Sequence, residues 1–336
     1  MKNILFFLLL LIVGCQSGEK GSAPQTSTRQ PNRSPVVYRV FYVNSYHQGY
    51  AWSDAIEKSV REQLQTFSRK TGNRIELGLF RLDSKRRSMP AEIEAAARSA
   101  LAEINEFRPD VLIVSDDNAV KYLVVPHLLG KKLPVVYCGV NWSSDRYHLP
   151  DDQVTGMVEV QLVDQIIKAL QETVRGRRIA FLKGDDFSAR IEADAIQQTF
   201  GLNLDVRLVK DFPSWKKEYL LLQKETDLLI LGNAVSIAGW DAQKAKKWIF
   251  DNTLVPSGSW DAWMADFCLV TFANSGEEQG AWATRTALRI LQGTPVANIG
   301  SVRNHKARVL LNMPLAKKMG IRFPMNLIEN ATLIRE

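Results

Sequence analysis

The sequence predicts an α/β protein of two lobes, each a doubly wound parallel sheet, and three observations predict it. Short runs rich in Val, Ile, Leu and aromatic residues recur along the chain, such as Val36–Val43, Val111–Val114 and Asp227–Leu231. They are too short for typical helices and suit strands buried on both faces. Segments with apolar residues every three to four positions separate them, the alternation expected of right-handed crossovers in a parallel sheet. After a short connector near residue 157 the alternation begins again, so two similar lobes are the economical inference.

Taken in order, Met1-Lys-Asn3 is a short positive stretch, and Ile4–Val13 is unbroken apolar sequence followed by Gly14-Cys15. A run of about ten apolar residues cannot cross a bilayer, which needs about twenty, so residues 1–14 read as a signal peptide. Leu11-Ile-Val-Gly-Cys15 resembles a bacterial lipobox, in which Cys15 is lipidated and becomes the mature first residue. The chain is then expected outside the cytoplasm, anchored by lipid to a membrane. By the same resemblance to bacterial lipoproteins, Gln16, which is not Asp, implies the outer membrane if the cell has one. Residues 15–35 are polar and rich in Ser, Pro and Gly, and read as a flexible tether with a reach of roughly 25 Å.

Val36–Val43 is the first strand, with Ser53 or Asp54 expected to cap a helix carrying Ile56, Val60 and Leu64 on one face. Arg74–Phe80 alternates as a strand. Pro90 opens a helix with Ile93, Ala96, Ala97, Ala100, Leu101 and Ile104 on one side. Val111–Val114 is the next strand, then a short helix through Val120 and Leu123, then the strand Pro134–Cys138. Beyond Val154–Val158 a helix carries Leu162, Val163, Ile166, Ile167 and Leu170. Arg178–Leu182 is a strand, a helix runs through Ile191 and Ile196, and Leu202–Leu208 follows. Another helix leads to the strand Asp227–Leu231. Gln279–Leu291 is a helix stopped by Gly293 and Pro295, Ala307–Asn312 a strand, and Met313–Gly320 a short glycine-capped helix. The tail Pro324–Ile334 reads as a last amphipathic helix.

Composition narrows the function. Hydrophobic content of 46% and charged content of 24% match a soluble globular protein. The formal charge of +7, or +6 once Lys2 leaves with the signal peptide, is scattered in pieces such as Lys85-Arg-Arg87 and Arg175-Gly-Arg-Arg178. No basic stripe interleaved with aromatics and no zinc pattern accompanies it, so nucleic acid is not expected as a partner. Cys138 and Cys268 lie in apolar runs and behave as small buried hydrophobes in different lobes, which argues against a disulfide between them. The sequence has no Gly-x-Ser-x-Gly elbow, His-Glu-x-x-His, phosphate-binding Gly-Lys-Ser/Thr loop or Cys-x-x-Cys, so no catalytic residue, cofactor or metal is assigned.

The strand ends hold the chemistry. In open α/β sheets ligands bind beyond the carboxyl ends of the strands. The first strand runs straight into Asn44-Ser-Tyr-His-Gln-Gly-Tyr-Ala-Trp52, which offers hydrogen bonds and flat apolar faces together. Other strand ends carry Ser115-Asp-Asp-Asn118, Gly139-Val-Asn-Trp142, Lys183-Gly-Asp-Asp186 and Gly232-Asn233.

Asn44-Ser-Tyr-His47 with Trp52, Ser115-Asp-Asp-Asn-Ala119, Val136-Tyr-Cys-Gly-Val-Asn141, Val154-Thr-Gly156 with Glu159, and Ala287–Gly293 through Leu311-Asn312, Ala316 and Gly320 together resemble the substrate-binding proteins of ABC transporters of the tryptophan/tyrosine type. The resemblance spans about residues 36–335. It implies the type I periplasmic-binding fold, with a ligand cleft between lobes joined by three crossings. Lobe one would be residues 36–156 plus 275–302, and lobe two residues 157–274 plus 303–336. One wall would then carry Ser45, Tyr46, His47, Trp52, Asp116, Asp117, Asn118, Asn141 and Trp142. The other would carry Glu159, Asp185, Asn233, Ser236, Trp260 and Asp261.

Each candidate has a plainer reading: Asp116, Asp117 and Asn118 as helix caps, His47 as a hydrogen-bonded structural histidine, Trp142 and Trp260 as packing aromatics, and Asp185-Asp186 as a helix start. The implied function is a monomeric solute-binding protein that clamps a small, amino-acid-like ligand and delivers it to an ABC permease. An aromatic side chain on that ligand is the family's suggestion. The other class left open is a sensing module that passes closure to a membrane kinase or cyclase.

Overall fold

In the computed structural model, residues 35–335 are described; the expected signal peptide, the expected lipidation of Cys15 and all but the last residue of the expected tether lie outside them. The chain lays down β1 (Val37–Asn44), α1 (Ala51–Thr71), β2 (Arg74–Arg81), α2 (Pro90–Phe107) and β3 (Val111–Ser115). After α3 (Asp116–Ala119) a π-helical turn at Val120–Val124 leads into α4 (Val125–His127). Then come β4 (Val135–Asn141), β5 (Val154–Glu159), α5 (Val163–Gln171), β6 (Ile179–Gly184), α6 (Phe187–Phe200), β7 (Leu204–Val209), α7 (Phe212–Glu225) and β8 (Leu228–Leu231). The rest is α8 (Ala242–Asn252), β9 (Ser257–Ser259), β10 (Val270–Asn274), α9 (Gly276–Leu291), β11 (Val302–Arg303), β12 (Ala307–Asn312), α10 (Met313–Met319), α11 (Met325–Ile328) and β13 (Ala331–Ile334).

Two sheets result. The first has the order β2-β1-β3-β4-β5-β11, with every pair parallel. The second has the order β7-β6-β8-β9-β10-β12-β13 and is parallel except where β10 meets β12. The continuous apolar runs are explained by burial on both faces. Along β1, Val40 and Tyr42 join one core cluster with Ile56 and Val60, while Phe41 and Val43 join another with Ala97 and Ile104. In the second sheet Phe181 faces Ile166 and Ile196, whereas Ala180 and Leu182 face the aromatic side built on Trp215 and Tyr219. Among the described residues Cys138 and Cys268 are buried and free.

The chain passes between the sheets after β5, after β10 and after β11. The return of α9 to the first sheet depends on glycine. A Cβ on Gly280 would lie 2.4 Å from the Ile56 carbonyl oxygen, so only a bare backbone lets α9 approach α1 this closely.

Two local expectations are corrected. Helix α1 begins at Ala51, earlier than a Ser53 or Asp54 cap requires; Asp54 instead accepts the Gly49 amide at 3.0 and 3.1 Å, and Ser53 is buried. The tail is not a helix throughout, because β12 offers an open edge and Ala331–Ile334 pairs with it as a parallel strand. An extended Thr-Leu-Ile segment gains a full ladder there, which a short isolated helix could not match.

Candidate functional site

The carboxyl ends of β1, β3, β4 and β5 share one edge of the first sheet, with Tyr46, Trp52, Asp116, Asp117, Asn141 and Glu159 at or just beyond them; Glu159, expected on the other wall in a lobe beginning at residue 157, instead ends β5 and pairs with Asn141 of β4. Asp116 occupies the left-handed region at φ 68°, as does Trp142 at φ 62°. Such conformations are strained for these residues and persist where surrounding structure holds them, commonly at functional sites. Asp116 is held by close quarters: a Cβ on Gly139, itself at φ 70° in the β4 bulge, would lie 3.0 Å from Asp116 Oδ1.

Asp116 is 2% exposed, and its Oδ1 accepts the Trp52 indole N–H at 2.8 Å. Its Oδ2 is buried with no hydrogen-bond partner among the described residues. Burial pushes this carboxyl up to about 8; the Trp52 bond works against the shift, and the charges of Glu159 and Asp117 add to it. Glu159 is raised to about 7, first by burial and then by Asp117 and Asp261, against the Asn274 side-chain bond at 2.9 Å. The Tyr46 phenol is driven far up by burial and by Asp116 and Asp117, so it stays a hydrogen-bond donor. Its ring meets Tyr50 edge-on at 5.1 Å and carries the Lys85 ammonium at 4.6 Å.

Neighbouring acids of the same wall have different fates. Asp117 is saturated: it accepts Asn141 Nδ2 at 2.6 Å and Tyr147 hydroxyl at 2.9 Å, and it pairs with Arg146. None of Asp116, Asp117 and Asn118 caps α3. Asn118 donates to Ser84 Oγ at 2.8 Å, and Ser84 in turn donates to the Ser45 carbonyl at 2.7 Å. Ser45 is a correction to the expected ligand wall. It is fully buried, donates to the Ser115 carbonyl at 2.5 Å and accepts the Ala119 amide at 2.8 Å, so both functions of its hydroxyl are used inside the protein. His47 lies 3.5 Å from Asp83 through Nδ1 without a hydrogen bond.

The strand ends of the second sheet carry Lys183, Asp185, Asp186, Asn233, Ser236 and Asp261. Asp186 caps α6 through the Ala189 amide at 2.8 Å. Burial opposes its ionisation, yet bonds from Ser188, Ser236 and Ala189 hold it down at about 2. Asp185 pairs with Arg190 at 3.3 Å. The Asp261 carboxyl is raised by burial, against a hydrogen bond from Asn233 and the charge of Lys183, and its Oδ2 is buried without a partner. Trp260 is the second correction: at 5% exposure, with its ring 5.6 Å from Phe181, it belongs to the core under this sheet.

Two comparisons return nothing: no family model matches the chain, and no curated protein matches it. Solved structures do. A substrate-binding protein with adhesive properties from Clostridium difficile, in its ligand-free, open form, is 14% identical with a TM-score of 0.68, over 89% of this chain and 99% of that one. A periplasmic ribose ABC transporter structure from Conexibacter woesei is 14% identical with a TM-score of 0.55, over 86% and 97%. An ABC domain in complex with L-Trp from Streptococcus pneumoniae is 15% identical with a TM-score of 0.51, over 90% and 100%. The fold is that of two-lobed periplasmic-binding proteins.

In a periplasmic-binding fold the crossings between lobes form the hinge, and here they are tied to the site. Asn274, at the second crossing, donates to Glu159 at 2.9 Å and to Gln161 at 3.2 Å, both at the first. Asn304, at the third, accepts the Val160 amide at 2.7 Å, returns a bond to the Val160 carbonyl at 3.1 Å and donates to Asn274 at 3.1 Å. Glu159 therefore belongs both to the acidic edge and to the hinge. Gln279 of α9 accepts the Gly139 amide at 2.9 Å and so fastens the returning helix to the bulge beside Asp116.

Sequence reasoning passed over Lys183, Glu192, Arg146, Tyr147, Asn274 and Asn304. Lys183 had a signal, being a charge inside the run Ile179–Gly184; it is 2% exposed and ion-paired with Glu192. Its stem fills the space a Cβ on Gly232 would take, 2.7 Å away. Arg146, Tyr147 and Asn304 lie in connections with no periodic pattern to mark them, Asn274 ends β10, and Glu192 lies within α6. Among the described residues no His/Cys/Asp/Glu group could hold a metal ion, and no helix is long and apolar enough to cross a membrane.

Proposed function

We propose that the chain is an extracytoplasmic solute-binding protein that clamps a small organic ligand bearing an ammonium group between its lobes and delivers it to an ABC importer. The observation that carries this reading is Asp116: an enclosed carboxyl with one oxygen unpartnered among the described residues and the other held by the Trp52 indole N–H, at the carboxyl end of β3 beside the three-crossing hinge. Ionised without a partner, this carboxyl would stand at several kcal/mol of disadvantage, so in the empty site it holds its proton up to about pH 8. A bound cation takes the place of that proton and is fully enclosed when the second lobe closes over it, so ligand free energy becomes closure free energy. An amino-acid-like ligand, aromatic as in the pneumococcal complex, agrees with the residue types, and a lipid anchor on Cys15 would keep a monomeric domain beside its permease.

The neighbours quoted are described as binding or transport proteins, which supports a binding role over a catalytic one. LacI-type regulators share the fold, so closure also suits a sensing role. A permease and ATPase encoded beside this chain favour transport; an adjoining kinase or cyclase favours sensing.

The test is native mass spectrometry of the purified protein for a co-purified small molecule, followed by thermal shift with amino acids, amines and nucleosides. A ligand at a hundred times its Kd stabilises by about 2.7 kcal/mol, a readily measured rise. A panel in which nothing raises the melting temperature would sink the proposal.

A further inference from the structure

The edge of the second sheet that lies away from the candidate site collects positive charge without partners. Asn274 donates to Glu159 at 2.9 Å and so joins the carboxyl ends of β10 and β5, which puts the amino ends of β6, β8, β9 and β10 on the opposite edge. Arg175 and Arg177 lead into β6 at that edge, and Leu254 leads into β9. Because β12 runs antiparallel to β10, Lys317 and Lys318 of α10 and Arg335 just beyond β13 arrive there too.

All five cations are exposed, and none makes an ion pair among the described residues. Lys318 donates instead to the Phe250 and Thr253 carbonyls at the end of α8. Of the acids beside them, Asp227 pairs with Arg178, Asp251 with Lys247 and Asp266 with Lys246, each at 2.8 Å, and Glu172 offsets one charge. Two grooves open here. One, of about 620 Å³, is lined by Phe250, Met313 and Pro314 together with Lys317, Lys318 and Arg335. The other, of about 830 Å³, sets Val174 and Leu202 beside Arg175 and Arg177. No Asp or Glu lines either. Phe250 is 41% exposed, and Leu254, whose strand lies between the grooves in the sheet order, is 73% exposed. From β6 to β13 is five strand intervals, roughly 24 Å at about 4.8 Å each.

We propose that this edge of the second lobe is a docking surface for an anionic lipid bilayer. Cations gathered at one spot suit an acidic peptide. Cations spread across the width of a sheet, with exposed apolar side chains among them, suit a plane that presents negative charge everywhere and admits Phe250 and Leu254 to its interfacial layer. Five unpaired cations seated on that plane lie within the Debye length of about 8 Å over which its potential acts. The contact lies on the edge opposite Asp261 and Asn274, so it leaves the cleft open, and the inference stands apart from the solute-binding reading.

Co-sedimentation with vesicles tests this. The chain from Gln16 onward keeps every residue of both sheets and carries no lipid on Cys15, and its melting curve checks that it is folded. It is expected to prefer phosphatidylcholine vesicles holding about 30% phosphatidylglycerol over phosphatidylcholine alone, by about fivefold for each cation at the surface. That preference should vanish near 1 M salt, where the Debye length is about 3 Å. Lys317→Ala combined with Arg335→Ala should weaken binding to the anionic vesicles about twenty-five-fold. Arg69→Ala combined with Lys70→Ala removes the same charge from the exposed end of α1 in the first lobe and should change binding less than about twofold. All four positions are exposed, and the melting temperatures of both variants confirm folding. Equal binding to the two vesicle compositions overturns the bilayer as occupant, and an equal loss from the α1 pair overturns this edge as the surface. Neither result touches the solute-binding reading, which stands or falls on ligand binding.

Discussion

Replacing Asp116 by Asn should stabilise the protein at neutral pH while removing its ligand. In the folded chain this carboxyl keeps its proton up to about pH 8, whereas an unfolded Asp releases it near 3.8. Between those values the unfolded state binds fewer protons, so stability must fall as pH rises through the window and level off above it. Each unit is worth about 1.4 kcal/mol, which gives about 4 kcal/mol by pH 7 if the site stays dry, and about half that once relaxation and water entry raise the effective dielectric. Asn does not titrate, and its amide oxygen can still accept the Trp52 indole N–H. The variant should match the wild type at pH 4 and melt higher by roughly 4–8 °C at pH 8, at about 2 °C per kcal/mol for a chain of this size. The assay is thermal denaturation of both proteins from pH 4 to pH 9, in the absence of ligand. Glu159, raised to about 7, contributes a second slope of the same sign that remains in the variant. Melting curves that stay parallel across the range, or a variant less stable than the wild type at pH 8, would refute a dry, unpaired carboxyl at this position.

Three further outcomes follow from the same geometry. Affinity for an amine should rise as pH goes from 6 to 8.5, because Asp116 and Glu159 must lose protons, with values of about 8 and about 7, before they hold a cation. Titration calorimetry in buffers of different ionisation enthalpy should register proton release, and a pH-independent Kd with no release would contradict this. Lys183→Met leaves Glu192 charged and unpaired behind the second sheet, and should lower stability by about 3–5 kcal/mol in urea unfolding; a loss under about 1 kcal/mol would mean the pair is not enclosed. Gly280→Ala drives a methyl into the Ile56 carbonyl and should cost about 1–3 kcal/mol by separating α9 from α1, whereas unchanged stability would show that the helices are not in close contact.

Much of the architecture was legible because it rests on local pattern. Continuous Val/Ile/Leu runs announce strands covered on both faces, and the helical spacing of Ile93, Ala97, Ala100 and Ile104 or of Val163, Ile166 and Leu170 announces what covers them. Strand ends were legible for the same reason, and with them the stretches that carry the acids and aromatics. What each of those side chains does was not. Asp116 and Asp117 are adjacent and identical in type, yet one is sealed with an empty oxygen and the other is saturated. The difference lies in a left-handed backbone angle at Asp116 and in Asn141, Arg146 and Tyr147, which reach Asp117 from 24 to 30 residues away.

Ser45 looked like a ligand group because loop serines past a strand often are; the close approach of β3 and α3 turned it inward as a latch. Trp260 follows a strand end like Trp142, but the packing of Phe181 drew it into the core. The tail chose a strand over a helix because β12 presented an open edge, a fact about another segment. The sequence by itself determined the alternation of strand and helix from β1 to β8 and the two-lobed fold, since these depend on residues a few positions apart. Only the tertiary structure decided which carboxylates are paired and which are left empty, because charge and hydrogen-bond partners are supplied by segments distant along the chain and burial sets how much their absence matters.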